Sequence, residues 1–155
     1  MNKILILFFA LTMFAPVHAI SPYTIPDYSL EAAGTGVQGT YLVRVWVMTH
    51  MKSVDDVDFK KAAVHGVIFR GFPGAGGAPS QLPFTQAADE QEMREYYDKF
   101  FSSTFLQFAE VVPASYAREK VGKGYRIGAV VLVQKDELRR ELEKAGVIKP
   151  IASVF

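Results

Sequence analysis

The stretch "TYLVRVWVMTH", Thr40 to His50, decides the fold. Its valines, tyrosine and tryptophan are strand formers, because branched and aromatic side chains fit a pleated, half-buried surface. Successive side chains of a strand alternate between faces. Tyr41, Val43, Val45 and Val47 therefore share a face with no charge to desolvate. Leu42, Arg44, Trp46 and Met48 share the other, which mixes apolar bulk with a cation. A strand apolar on both sides needs a sheet around it, helices on the uncharged side, and an explanation for its second side.

Downstream, "SVDDVDFKKAAVHGVIFRG" reads as a helix. Ser53 is a natural cap, and Asp55, Asp56 and Asp58 suit the positive end of the helix dipole. Val57, Val64 and Ile68, with Ala63 and Val67, recur at helical spacing, and Gly71 ends the run. A second helix is expected from Gln86, capped by Thr85, through "AADEQEMREYYDKFF". "FLQFAEVV", Phe105 to Val112, either prolongs that helix or forms a strand, and its closing valines favour the strand. Pro113 to Lys120 reads as a loop, "KGYRIGAVVLVQ" as a strand and "KDELRRELEKAG" as a helix. Ile127, Ala129, Val131 and Val133 should share the inner face with the valines of the first strand, with Arg126, Val130, Leu132 and Gln134 opposite. The terminal "VIKPIASVF" is apolar enough to pack on the body. The expected fold class is α+β: a small sheet of three or more strands covered on one face by about three helices, a two-layer sandwich.

Upstream, residues 1–19 have the form of a secretory signal peptide: Lys3, an apolar run of eleven residues from Ile4, and Val17-His18-Ala19 as a cleavage site. That run is short of the roughly 20 residues a membrane-spanning helix needs. The chain has no cysteine, which excludes a lipoprotein anchor, disulfides and thiolate chemistry. Ile20 to Thr40, rich in Pro and Gly, reads as an extended, partly mobile arm. Residues 41–155 then form a single domain, exported to the periplasm or beyond. Cleavage removes one of the 17 basic residues and none of the 16 acidic ones, so the mature chain is formally neutral. A basic surplus for nucleic acid or an anionic membrane surface is missing.

Chemistry is scarce. His50 and His65 match no metal motif, and no GxSxG elbow exists. The carboxylate groups Asp55/Asp56/Asp58 and Asp136/Glu137/Glu141/Glu143 lie at helix starts. Asp89/Glu90/Glu92/Glu95 fit the solvent side of an amphipathic helix. "RGFPGAGGAPSQLPF", Arg70 to Phe84, has four glycines but follows a helix, so carbonyls rather than amides face it, and it lacks the Walker lysine. It reads as a long connection anchored by its phenylalanines. "KVGKGY" reads as a tight turn entering a strand. The sequence thus offers no catalytic, cofactor or metal residue.

The segments "KKAAVHGVIFRGF", "YYDKFF" and "VGKGYRIGAVVLVQKDELRRELEKAGVIK" resemble parts of small uncharacterised exported proteins of Bacteroides-type Gram-negative bacteria, over Tyr41 to Phe155. The resemblance implies an exported single domain and supports a strand at Phe105 to Val112. That family has no assigned activity, so no residue role carries over. The expected function is non-enzymatic association with a protein partner or a second copy of the chain, through Leu42, Arg44, Trp46 and Met48 or through Phe72 and Phe84. One alternative is a hydrolase-type enzyme using His50 or His65 with a carboxylate. The other is an apolar-ligand binder walled by Phe72, Phe84, Tyr96 and Tyr97.

Overall fold

The computed structural model describes residues 23–151. The signal region, Ile20 to Pro22 and the last four residues lie outside that range. Five antiparallel strands make one sheet: β1 (Tyr28–Gly34), β2 (Tyr41–Thr49), β3 (Ala109–Val111), β4 (Ala117–Val121) and β5 (Gly124–Val133). The order is β1-β2-β5-β3, with β4 following β3 along the same edge of β5. Four helices, α1 (Asp56–Phe69), α2 (Ala87–Glu92), α3 (Arg94–Phe100) and α4 (Lys135–Lys144), and a 3-10 turn, Thr104–Phe108, complete the α+β architecture. The helices pack on one side of the sheet.

The centre of the sheet follows from the alternation in β2 and β5. These strands pair without a break from Tyr41↔Val133 to Thr49↔Tyr125. Val43, Val45, Val47, Ile127, Ala129, Val131 and Val133 are all buried against the helical layer. Each buried valine contributes roughly 1.5–3 kcal/mol of hydrophobic stabilisation.

Helix α1 starts two residues later than Ser53 suggests, with Asp55 in the cap position. Its expected single apolar stripe is incomplete. Val57 is exposed, while every residue from Ala62 to Phe69 is buried. A helix apolar all round is one enclosed on all sides, and the run "AAVHGVIF" lies between the sheet and the aromatic side chains of α3 and the 3-10 turn. Gly66 permits this approach, because a Cβ there would lie 1.8 Å from Leu30 Cδ1 of β1.

Several elements differ from the sequence reading. The arm over residues 20–40 is extended, but from Tyr28 it is the edge strand β1, with Tyr28, Leu30 and Ala32 pointing inward. The helix expected from Gln86 to Phe101 breaks at Met93 into α2 and α3. Phe105 to Val112 divides, its aromatic half a 3-10 turn and its valine half strand β3. The loop at Pro113 to Lys120 contains most of β4, which a two-residue turn at Gly122 (φ 57°) folds back onto β5. In the tail, Val147 and Ile148 are buried and Ile151 is exposed. Val154 and Phe155 lie outside the described residues.

Candidate functional site: the uncovered sheet face

Among the described residues, the far side of the sheet carries no helix. Its side chains form a grid fixed by register. Ser29 and Glu31 come from β1, and Leu42, Arg44, Trp46 and Met48 from β2. Arg126, Gly128, Val130 and Leu132 come from β5, Glu110 from β3, and Ala117 and Glu119 from β4. Met48 is 44 % exposed, whereas Val130, shielded by its neighbours, is 9 % exposed. Gln134 is not part of this face, because β5 ends at Val133 and Gln134 caps α4.

Trp46 organises the face. Its cross-strand partner is Gly128, and a Cβ there would sit 2.5 Å from the indole ring, so the indole lies flat over bare backbone. The Arg126 guanidinium stacks 4.1 Å from the ring centroid and that of Arg44 lies at 5.8 Å. The indole N–H donates to Glu31 at 3.2 Å. Arg126 also reaches Glu119 at 3.5 Å. Guanidinium groups lying over an indole suit a surface that alternates between water and protein, being weakly hydrated cations with aliphatic stems.

The other two candidate residues lie elsewhere. Phe72 is buried beside Tyr41, their ring centroids 5.3 Å apart, and exchanges two backbone hydrogen bonds with Gln81. It is a core anchor, and burial removes it from the interface set. Phe84 is half-buried under Arg139, on the helical side. The Gly/Pro segment between them is pinned. Pro73 accepts from the Ala32 amide, Phe84 donates to Val67, and Gly71 takes φ 66° where a Cβ would lie 2.3 Å from the Gln81 carbonyl. Of the four expected walls of an apolar pocket, Tyr96 and Tyr97 meet, their ring centroids 5.2 Å apart, but neither they nor Phe72 line the groove beside Phe84. Phe84 lines a groove of about 920 Å³ with Thr85, Val147 and Ile148, while Phe72 and Tyr97 are buried in the core.

The sequence reading missed one cluster. Glu90, expected on a solvent face, is half-buried and meets His65 Nε2 at 3.2 Å. Tyr28 Oη lies 2.6 Å from His65 Nδ1, and Tyr23 donates its hydroxyl to the same Glu90 oxygen. A carboxylate only accepts. Nε2 therefore carries the proton, and Nδ1 accepts from Tyr28. Burial lowers the His65 pKa, with the Glu90 charge partly offsetting it. Burial first, and then the hydrogen bond to Glu90, raises the pKa of Tyr23. Both imidazole nitrogens are engaged, and Phe69 and Phe101 flank the ring at 5.0 and 5.9 Å. What this cluster does is join β1, α1, α2 and the segment before β1. His50, by contrast, is exposed after β2. No three-residue group able to hold a metal occurs among the described residues. No helix among them is long and apolar enough to cross a membrane.

No family model, curated protein or solved structure matches this chain. The geometry alone carries the functional argument.

Proposed function

We propose that this chain is an exported, non-enzymatic protein that works by associating with a protein surface through its uncovered sheet face. The observation that carries this reading is Trp46, lying over Gly128 with two guanidinium groups over its ring, on a face that no helix among the described residues covers. Tryptophan and arginine are the commonest anchors of protein interfaces. The competing enzymatic use of His65 finds its carboxylate in Glu90, but His65 and the Tyr28 hydroxyl on its other nitrogen are both buried away from a substrate. Export rests on the signal-like residues 1–19.

Trp46→Ala tests the reading. It should weaken association while costing the isolated domain under about 2 kcal/mol, below the roughly 3–5 kcal/mol of a core tryptophan truncation. Denaturant unfolding and light scattering read the two halves. A loss of 3 kcal/mol or more with association unchanged would overturn it. Mass spectrometry of protein from the native host tests export, which an intact Met1 on the mature chain would exclude.

A further inference from the structure

We infer that the occupant of the sheet face is the same face of a second copy of this chain, related by a two-fold axis over β5. The inference rests on the reading of that face as the working surface. Most charges there are already answered within one molecule: Arg126 pairs with Glu119, and Glu31 accepts the Trp46 N–H. Arg44 and Glu110 form no ion pair among the described residues. Arg44 stands opposite Val130 from one side of β5, and Glu110 stands opposite Leu132 from the other.

Two strand spacings and one two-residue step separate them by about 12 Å, beyond the ~4 Å of an ion pair. A two-fold axis midway, over Val130 and Leu132, brings Arg44 of each copy onto Glu110 of the other. The axis lies between the two faces and runs across the apolar part of each, where Leu42, Val130 and Leu132 adjoin. An isologous interface has this form, with an apolar centre and a charge pair repeated on either side.

The described ends of the chain do not compete for the face. Tyr23 packs on Phe101 and hydrogen-bonds Asp98, and the Ile151 amide hydrogen-bonds Glu143, all in the helical layer. The face is small. Four strands span about 19 Å, and the nine residues of β2 span about 30 Å, giving roughly 580 Å² per copy. The total of about 1,150 Å² falls at the weak end of specific interfaces, so the dimer is reversible.

Sedimentation equilibrium on the full mature chain should show a monomer–dimer equilibrium with Kd on the order of 10 µM or weaker. Arg44→Glu and Glu110→Arg should each weaken it by about a hundredfold or more, since each places like charges together twice. An equimolar mixture of the two variants should recover dimerisation as a heterodimer, and R44E/E110R in one chain should recover it as a homodimer. Leu132→Asp, on the axis, should disrupt every combination. A wild type that stays monomeric to about 1 mM overturns the inference, as do single reversals without effect or a mixture that fails to recover. A photo-crosslinker at position 132 in the native host separates this inference from the reading beneath it. Copy-to-copy crosslinks support the dimer. Crosslinks only to a different protein overturn the second copy but leave the face as a binding surface. No crosslink at all removes both.

Discussion

The two faces of the sheet are built from the same strands and differ in what satisfies them. The inner face is dry and answered by packing: Val43, Val45, Ala129, Val131 and Val133 are fully enclosed by α1 and its neighbours. The outer face is held by directional contacts among its own side chains, arginine on indole, indole on carboxylate and arginine on carboxylate. Apolar burial is non-directional and scales with area, so the inner face tolerates no polar change. The outer face tolerates most changes, because water replaces what is lost.

The sharpest way to break that contrast is a charge on each face. Val45→Asp should abolish folding, a loss of more than about 4 kcal/mol from an unpaired buried carboxylate. Met48→Asp, on the other side of β2, should stay within about 1 kcal/mol of wild type by urea unfolding. Equal losses would mean that both faces are core. Truncation gives a smaller version of the same test. Ile127→Ala should cost about 2–4 kcal/mol and Leu132→Ala under about 1 kcal/mol in the monomer.

Acid should act on the helical side through His65. The folded His65 pKa lies below its unfolded value, so the unfolded chain binds the extra proton first. The stability this supplies is complete above the unfolded value of about 6.5 and is lost as pH falls toward the folded one. The slope is at most about 1.4 kcal/mol per pH unit for one proton. Urea midpoints measured from pH 7.5 to 5.5 should fall for wild type, and His65→Gln should flatten the curve over that window. An identical curve for the variant would remove His65 from the titration. The smallest expected effect belongs to Gly128→Ala. Glycine in a strand usually costs roughly 0.5–1 kcal/mol relative to alanine. Here the new methyl group meets the indole, so the substitution should bring no gain and should shift Trp46 fluorescence as the ring lifts. A stabilised variant with unchanged emission would show that the ring does not lie on Gly128.

The legible part of this molecule is where one strand's alternation sufficed. The inward residues of β2 and β5, and the presence of an open face bearing Trp46, follow from local pattern. β1 was hidden because Pro26, Gly34 and Gly36 bracket a short alternation, "YSLEAA", that looks like a linker until β2 pairs with it. β4, "AREKV", carries no buried apolar side at all. A turn holds it, and the strand signal sits in its partner. The outer face was therefore read without Glu31, which accepts the Trp46 N–H, and Glu119, which pairs with Arg126, since both arrive on strands the alternation did not show. The His65–Glu90 contact joins residues 25 apart across a connection whose course only tertiary packing defines.

The pairing of β2 with β5 carries a consequence for synthesis. Thr49 ends β2 and Gly124 begins β5, so 74 residues must follow the first strand before its partner starts. At about 5–20 residues per second, that is on the order of 4–15 s. β1 and β2 can form a hairpin early, and β4 and β5 another late, each through a short connection. The hairpin made first waits with an apolar edge exposed, and joining the two is a high-contact-order step of the slow kind. A nascent chain stalled before residue 124 therefore presents one edge of its most aggregation-prone strand unpaired, with β1 on the other edge, and a holding chaperone would bind there.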